Sequence, residues 1–312
     1  MFNHKHLLSI DDLSREDIEI VLNQAQMFEE VNERPIKKLP TLRGKTVCNL
    51  FLEPSTRTRG SFELAEKRLS CDSLNAGGSA SSTVKGESLV DTVKTLDSMK
   101  VDMFIVRHKC AGSPYLVSQH TNASVIDAGD GKHQHPTQAL LDLYTIWKNK
   151  GSFEGLNVGI VGDIAHSRVC GSLVPALKKM GATVTLIAPA TLLPARPDVL
   201  GADKTTPYFD EVLPQLDVVY MLRIQMERLE GAPFPSLREY HLLYGLTEER
   251  SSRMKSDAII CHPGPINRGV ELDSYIADCS QSVIVDQVFS GVCVRMALIY
   301  LLLGGASDET AR

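Results

Sequence analysis

The sequence has no large excess of charge of either sign. It also lacks the cysteine spacing that is typical of zinc sites and of disulfide-bonded folds. It contains 33 Lys and Arg against 38 Asp and Glu, for a formal net charge of -5. A chain with this balance is not expected to carry the basic stripe that neutralises a nucleic-acid backbone. None of the seven cysteines stands in a C-x-x-C pair, which argues against zinc knuckles and disulfide-stapled folds. We therefore expect no nucleic-acid partner, no metal and reduced thiols.

Long apolar runs are also missing. The first residues, MFNHKHLLSI, lack an apolar signal core, and the longest late apolar run, Met296–Leu303, is too short to cross a bilayer. A mean hydropathy of -0.07 with 43% hydrophobic residues is typical of a soluble chain with a sizeable core. The sequence thus predicts a cytoplasmic protein that does not enter a membrane.

The two nucleotide-binding motifs that the glycines suggest are both incomplete. In VGIVGDIAHSR, Gly159 and Gly162 do not complete G-x-G-x-x-G, and the GKT at Gly44 lacks the upstream glycine of a P-loop. A glycine-rich strand end is commoner than a cofactor site. We therefore predict no nucleotide cofactor.

Short apolar runs alternate with longer helical patterns along the whole chain. Such alternation is typical of parallel sheets with crossover helices, so we predict an α/β fold with two parallel-sheet domains joined near Gly131. A last apolar helix over 284–303 is expected to pack back onto the first domain. The predicted domains are 1–134 with the C-terminal segment 285–312, and 135–284. The apolar runs expected to form strands include TVCNLFL, DSLNAG, DMFIV, SVIDAG, NVGIVG, TVTLIAP, LDVVYML and DAIICHPGP.

The stretch FLEPSTRTRGSFELAEKRL places hydroxyls and arginines between a predicted strand and a predicted helix. Ser55 stands where a helix cap is expected, and Thr56, Arg57, Thr58 and Arg59 follow it. The first N–H groups of a helix have no internal partner, and the helix dipole attracts anions there. The turn therefore fits a phosphate. An ordinary capped helix with a solvated basic first turn is the alternative.

Two further segments carry polar residues at predicted element ends. IVRHK puts Arg107 at the carboxyl end of a strand, where open α/β sheets bind ligands; a surface arginine paired with a carboxylate is the alternative. HPTQ puts His135 before a helix and Gln138 one turn inside it, so both can face one cleft; a capping histidine is the alternative. We expect His108 and His133 to be structural.

Together these segments resemble the carbamoyltransferases, and most closely the branch that uses aspartate, over nearly the full length. The resemblance implies a carbamoyl phosphate-binding first domain and a Rossmann-like aspartate-binding second domain, linked by helices. It implies transfer of the carbamoyl group of carbamoyl phosphate to the amine of L-aspartate, giving N-carbamoyl-L-aspartate and phosphate. This reaction is an early committed step of de novo pyrimidine biosynthesis. No cofactor takes part in it.

The resemblance also implies roles for the residues of the first domain. Arg107 is expected to reach the phosphate and the carbonyl oxygen, His135 to donate to that oxygen, and Gln138 to contact the amide end. The residues expected to bind the phosphate in the turn are Ser55, Thr56, Arg57 and Thr58. Four residues are expected to be catalytic because they stabilise the oxyanion or the leaving phosphate: Arg57, Thr58, Arg107 and His135.

In the second domain, IAHSR supplies Arg168 and LRIQ supplies Arg223 and Gln225. Two guanidinium forks suit a dicarboxylate, so these residues are expected to bind aspartate. By resemblance, the carbonyls of Gly264 and Pro265 in CHPGPINRG receive the carbamoyl NH2. Many relatives have a bulky residue where this chain has Gly264.

Two alternatives stay open. An ornithine-specific enzyme needs a site for an ammonium tail and typically carries H-C-L-P and an S-M-G loop, neither of which this chain has. Glu53 also follows the aspartate branch. A noncatalytic assembly subunit is disfavoured because all matched polar residues are present. No role is assigned to Arg268.

The small, polar stretch over 76–88 taken alone is a loop or linker. In relatives this loop crosses into the active site of the neighbouring subunit of a homotrimer. By resemblance, Ser81 and Lys85 are therefore contributed by the neighbour, with Lys85 also binding aspartate. Some relatives have a second lysine where this chain has Val84. Further assembly with regulatory chains or dihydroorotase stays open.

Overall fold

The computed structural model describes three segments of the chain: residues 2–77, 87–224 and 236–304. The chain divides into two compact units, one of Met1–Tyr144 with Phe289–Arg312 and one of Thr145–Val288. Both divisions fall inside helices, Pro136–Lys150 and Ile284–Leu303. The domain boundaries predicted from the sequence lie at the first residues of these two helices and stay predictions.

The first unit contains a four-stranded parallel sheet with the strand order β2-β1-β3-β4. Its strands alternate with helices because parallel neighbours need crossover connections. The elements are α1 (Arg15–Glu33), β1 (Thr46–Phe51), α2 (Thr56–Arg68), β2 (Asp72–Gly77), α3 (Leu89–Asp97), β3 (Met103–His108), α4 (Ser113–Ser118), β4 (Ser124–Asp130) and α5 (Pro136–Lys150), which continues into the second unit.

The second unit contains a five-stranded parallel sheet with the order β7-β6-β5-β8-β9. Its longer elements repeat the strand-helix alternation of the first unit. They are β5 (Asn157–Val161), α6 (Arg168–Lys179), β6 (Thr183–Ile187), β7 (Lys204–Thr206), α7 (Phe209–Val212), β8 (Val218–Met221), α8 (Leu237–Tyr244), α9 (Glu248–Ser251), β9 (Ile259–Cys261), α10 (Ser274–Ala277) and α11 (Ile284–Leu303), which returns to the first unit.

The central strands of each sheet are apolar because helices cover both faces of a parallel sheet. In the first unit, Leu50, Phe104 and Val125 are fully buried in one cluster. In the second, Ile160 of β5 and Val219 of β8 are fully buried. The predicted α/β fold with two parallel-sheet domains linked by helices is thus confirmed.

Helix α1 was not predicted, although its signals stand in the sequence. Ser14 accepts from the N–H of Asp17, whose side chain accepts from the Ser14 N–H, which completes a capping box. The buried residues Ile18, Val21 and Leu22 follow at helical spacing. Strand β7 was also missed, because its three residues are polar and partly exposed.

Helix α11 has the length and composition of a membrane span, with a hydropathy of 1.6 over its most apolar window. The run Met296–Leu303 considered in the sequence is only its second half. In that part of the helix 67% of the residues are buried in the protein. A core helix of a soluble protein can have the same length and composition as a membrane span, so these two properties alone do not distinguish the two.

Each sheet has a topological switch point, where successive strands of the chain are added first on one side of a strand and then on the other. In the first sheet, β1 lies between β2 and β3; in the second, β5 lies between β6 and β8. Ligands of open α/β sheets bind outside the carboxyl ends of the strands at such points. The segments after β1 and β3, and after β5 and β8, are therefore the places to look for a site.

Candidate active site

The turn after β1 presents the N-terminus of α2. Ser55 is the N-cap residue in an extended conformation, with φ -160 and ψ 98, but within the described chain its side chain forms no capping hydrogen bond. The first turn of α2 contains no acidic residue. The predicted N-cap position is therefore right, but the expected capping bond is not formed. The N-terminal N–H groups of α2 face neither a side-chain cap nor a carboxylate of their own turn, which favours an anion there.

The side chains of this turn differ in exposure. Thr56 and Arg57 are exposed, whereas Thr58 is buried. Arg59 pairs with Glu63 one turn further along α2, with a distance of 3.4 Å between Nε and Oε1. A pair whose arginine is half exposed is weak, because water screens the charge of the guanidinium. The turn therefore keeps its positive character.

Arg107 lies near the carboxyl end of β3 and is 9% exposed. Its Nη2 donates to Oε1 of Glu53 at 3.2 Å and its Nη1 donates to the carbonyl of Ala128 at 3.1 Å. Its own carbonyl accepts from the N–H of Leu52 at 2.9 Å. The guanidinium is thus held beside the start of the turn after β1. It pairs with a carboxylate, as in the alternative, but it is buried and does not lie on the surface.

His135 and Gln138 lie at the start of α5. The His135 carbonyl accepts from the Gln138 N–H at 3.0 Å, and the side chain of His135 is buried. The amide nitrogen of Gln138 donates to Oδ1 of Asp142 at 3.0 Å. This bond directs the amide nitrogen toward a buried carboxylate, and the amide oxygen remains the acceptor for a donor such as a carbamoyl NH2.

The strand order brings the predicted catalytic residues to one edge of the first sheet. β3 lies between β1 and β4. The turn with Arg57 and Thr58 follows β1, Arg107 is the last residue but one of β3, and His135 follows β4. Carboxyl ends of parallel strands meet at the same edge. The structure therefore places all four residues at the carboxyl edge of the sheet, the edge at which open α/β sheets generally bind ligands.

The two histidines expected to be structural have local partners. Nδ1 of His108 accepts from the N–H of Cys110 at 2.9 Å. Nδ1 of His133 lies 3.1 Å from Oδ2 of Asp130. Both contacts shape the connections after β3 and β4.

In the second unit, Arg168 and Arg223 follow neighbouring strands. Arg168 is the first residue of α6, is 6% exposed, and follows Ser167, whose side chain caps that helix. Arg223 is half-buried and comes two residues after the end of β8, where Leu222 N–H donates to the Val161 carbonyl at 2.8 Å. Because β5 and β8 are paired, the two arginines share the carboxyl edge of the second sheet.

The segment after β9 forms a tight turn around His262. Its Nδ1 accepts from the N–H of Gly264 at 2.8 Å, and its own N–H donates to Oε1 of Gln287 at 2.8 Å. Gly264 has φ 63 and is followed by a cis bond to Pro265. Glycine takes this left-handed conformation without the strain that a bulkier residue would meet.

A buried carboxylate in this region had no counterpart in the sequence-based prediction. Glu271 is fully buried and accepts from the N–H of Ile224, next to Arg223, at 2.8 Å. Burial raises the pKa of its carboxyl, and hydrogen bonds from Ile224 and Asn267 act in the opposite direction. Its only signal in the sequence is an acidic residue beside the apolar Val270 and Leu272.

The remaining predicted residues are of two kinds. Ser81, Lys85 and Gln225 lie outside the described residues. Arg268, to which no role was assigned, pairs with Asp278, with one Nη1 to Oδ2 distance of 2.7 Å. Both side chains are exposed, so this pair spans α10 on the surface and contributes little to stability.

Two family models cover most of the chain. Residues 5–148 match the carbamoyl-P binding domain of aspartate/ornithine carbamoyltransferase, and residues 154–302 match the Asp/Orn binding domain. The aspartate carbamoyltransferase catalytic subunit of Syntrophotalea carbinolica is 55% identical over 308 residues, which are 99% of this chain and 98% of that protein.

Solved structures of both branches have the same fold. Aspartate transcarbamoylase from Trypanosoma cruzi in complex with carbamoyl phosphate and aspartate matches with a TM-score of 0.86 and 29% identity, covering 97% of this chain and 98% of that one. Ornithine carbamoyltransferase from Pyrococcus furiosus matches with a TM-score of 0.84 and 26% identity, covering 97% and 98%. The fold is thus common to both branches, whereas the full-length identity of 55% is to the aspartate branch. The chain therefore belongs to the aspartate/ornithine carbamoyltransferase family and, within it, to the aspartate carbamoyltransferase catalytic subunits.

Proposed function

We propose that this protein transfers the carbamoyl group of carbamoyl phosphate to the amine of L-aspartate, forming N-carbamoyl-L-aspartate and phosphate. The observation that carries the proposal is the N-terminus of α2, which has neither a side-chain cap within the described chain nor an acidic residue in its first turn. It lies on the same sheet edge as the buried Arg107. Backbone N–H groups, hydroxyls and guanidinium groups on one edge suit the phosphate group of an acyl phosphate.

The first unit supplies the groups that act on carbamoyl phosphate. The N-terminus of α2 and Arg57 bind the phosphate and stabilise the charge that accumulates as it leaves. Thr58, Arg107 and His135 donate to the carbonyl oxygen, which becomes negative when the carbon turns tetrahedral. The amide oxygen of Gln138 accepts from the carbamoyl NH2.

The second unit supplies the groups that bind the amino acid. Arg168 and Arg223 bind the two carboxylates of aspartate, which leaves its neutral amine free to attack the carbamoyl carbon. The C–N bond forms, the bond between that carbon and the phosphate oxygen breaks, and the electron pair of that bond leaves with phosphate. We assign the released amine proton to the departing phosphate.

Ornithine is the competing second substrate, since the fold serves both branches. An ammonium tail beside Arg168 and Arg223 would meet like charges, whereas the second carboxylate of aspartate is attracted. Purified protein is incubated with carbamoyl phosphate and either L-aspartate or L-ornithine, and the carbamoylated product is identified by mass spectrometry. We expect carbamoyl aspartate. Carbamoyl ornithine as the main product, or no product with either amine, would contradict the proposal.

We also propose that the protein is a homotrimer with shared active sites, in which Ser81 and Lys85 complete the site of the neighbour. Support comes from the small, polar composition of their segment and from membership of the family. Location in the cytoplasm and a place in pyrimidine biosynthesis are proposed on the same basis. Regulatory chains or dihydroorotase remain candidate partners.

A complementation experiment tests shared sites. Lys85→Ala and Arg57→Ala chains, each nearly inactive, are unfolded together in equal amounts and refolded. In cyclic trimers about a quarter of all sites then combine the Arg57 of one chain with the Lys85 of another. We expect activity to approach that fraction. Each variant refolded alone is the control, and mixed trimers without a gain in activity would show that Lys85 acts within its own chain.

A further inference from the structure

Two loops of the second unit meet at a single buried carboxylate. The first loop follows β8 and contains Arg223 and Ile224; the second follows β9 and contains Gly264, Pro265 and Asn267. The first loop contains Arg223, which we propose binds a carboxylate of aspartate. The second contains the carbonyls of Gly264 and Pro265, which are expected to accept hydrogen bonds from the carbamoyl NH2. The distance between these loops therefore decides how the two substrates are placed relative to each other.

Glu271 joins the loops through three hydrogen bonds. Its Oε1 accepts from the N–H of Ile224 at 2.8 Å and from Nδ2 of Asn267 at 2.7 Å. Its Oε2 accepts from the N–H of Asn267 at 2.8 Å. The same Asn267 side chain donates to the Ile224 carbonyl at 3.1 Å. Both backbone groups of the residue after Arg223 are thus bound by Glu271 and Asn267.

We propose that the side chains of Glu271 and Asn267, which we call the loop clamp, are positioning residues that hold Arg223 at a fixed distance from the Gly264 and Pro265 carbonyls. The proposal rests on the function proposed above and assigns to neither side chain a contact with substrate. Its expected effect is on the affinity for aspartate.

The chemistry of the clamp explains why a carboxylate is needed. Three donors converge on Glu271, which only an acceptor with two oxygens can satisfy. Its side chain is fully buried, so water cannot replace a lost bond, and a donor left without an acceptor is costly. Nε2 of His262 lies 3.9 Å from Oε2, too far for a hydrogen bond that could substitute.

Two variants break the clamp to different degrees. Glu271→Gln keeps the volume but places an NH2 group where one of the backbone N–H groups now donates. Asn267→Ala leaves the carboxylate and its bond to Ile224, and removes only the amide bonds to Oε1 and to the Ile224 carbonyl. Asn267→Ala is the milder change, and it decides the test if Glu271→Gln does not fold.

Asp217→Asn is the matched control. Asp217 lies just before β8, at the opposite end of the strand that leads to Arg223. It accepts from the N–H of Asn157 at 2.8 Å and from Nζ of Lys255 at 2.6 Å. It thus also joins two segments of the second unit, but at the amino edge of the sheet. A purely structural effect on this unit should appear in the control as well.

The measurements are KM for aspartate, kcat, affinity for carbamoyl phosphate, and the midpoint of urea unfolding. We expect both clamp variants to raise KM for aspartate at least about tenfold, with a smaller loss of kcat and unchanged carbamoyl phosphate binding. The control should change KM less than about twofold. Clamp variants whose KM equals that of the wild type, or whose KM changes no more than that of the control at equal loss of stability, would overturn the proposal.

A readout without activity separates this inference from the proposed function. Amide hydrogen exchange followed by mass spectrometry reports on the peptides that contain Ile224 and Asn267. We expect faster exchange in both peptides in Asn267→Ala and no change there in Asp217→Asn. Unchanged exchange in Asn267→Ala would contradict the clamp. A wild-type protein inactive with aspartate, but with this exchange pattern, would instead contradict only the proposed function.

Discussion

The carboxyl edges of the two sheets assemble their cationic groups in different ways. In the first unit the turn that we propose binds phosphate, residues 55–58, is one continuous stretch after β1, and the helix that follows contributes its own N-terminal N–H groups. In the second unit Arg168 and Arg223 come from different segments, and the loop of Arg223 is held by Glu271. The turn after β1 is thus set mainly by local backbone, although Arg107 on the same edge is held by Glu53 and Ala128, whereas Arg168 and Arg223 are brought together only by tertiary contacts. Substitutions at the two edges should therefore have different effects on catalysis and on substrate binding.

The largest effect is expected for Arg57→Ala in the first unit. It removes a charged donor that is used most strongly as phosphate leaves, so kcat should fall by ~10² or more with little change in the unfolding midpoint. Steady-state phosphate release measures this. Arg59→Ala is the control on the same turn, because it removes the same charge from a residue to which no contact with phosphate is assigned. Equal losses in the two variants would show that only the net charge of the turn matters.

A second prediction concerns Arg223→Ala in the second unit. Loss of a charged hydrogen-bond donor to a carboxylate should raise KM for aspartate by roughly 10- to 100-fold. Arg223→Lys should recover only part of this, because an ammonium cannot form the two parallel bonds of a guanidinium. Initial rates at saturating carbamoyl phosphate give KM. A variant with normal KM but reduced kcat would contradict a binding role for Arg223.

The buried carboxylates sharpen the comparison further. Glu66 of α2 is fully buried, and its hydrogen-bond donors are the side chains of Asn49 and Ser73, not backbone N–H groups. Burial is the largest influence and raises the pKa of its carboxyl from 4.5 to about 7. The hydrogen bonds from Ser73 and Asn49 lower this pKa, the nearby charge of Glu63 raises it, and that of Lys67 lowers it. In the folded first unit Glu66 is therefore mainly protonated below about pH 7.

The sign of the pH effect follows from this raised pKa. The stability contributed by protonated Glu66 is fully present below pH 4.5 and is lost as the pH rises to about 7. Between about pH 5 and about pH 8 the wild type should lose on the order of 2–3 kcal/mol more than Glu66→Gln. Urea unfolding at both pH values measures the difference. Identical pH dependence in the two proteins would mean that Glu66 ionises normally in the folded state.

The smallest effect compares two helix N-termini of the first unit. Ser14 caps α1, whereas Ser55 occupies the same position at α2 without a capping bond in the described chain. Ser14→Ala should lower the free energy of unfolding by about 1 kcal/mol and leave the kinetics unchanged. Ser55→Ala should leave stability almost unchanged and weaken carbamoyl phosphate binding by about tenfold. Equal losses of stability would show that Ser55 is a cap after all.

The parts of the fold that the sequence predicted are those with local signals. Strands β1 and β3 are mostly apolar because both faces of the sheet are covered, and the last helix has the predicted bounds Ile284–Leu303. Helix α1 was not among the predicted elements, although its capping box is an equally clear local signal of a helix start. β7 could not be predicted, since its polar residues form a strand only by pairing with β6.

The candidate site divides in the same way. Arg57 and Thr58 belong to one short motif, so the sequence alone suggested an anion site. Glu271 accepts from Ile224, which is 47 residues away. No local pattern marks such a partner, because the contact exists only after β8 and β9 have paired. Positioning residues of the second unit therefore had to come from the structure.

Direct binding of carbamoyl phosphate in the absence of aspartate tests the division of work between the two units. The wild type, Arg57→Ala and Arg223→Ala are titrated by calorimetry at low temperature, where carbamoyl phosphate is less labile. We predict that Arg57→Ala raises the Kd at least about tenfold and that Arg223→Ala leaves it within about twofold of the wild type. Loss of binding in Arg223→Ala with normal binding in Arg57→Ala would show that the assignment of the two substrates to the two units is reversed.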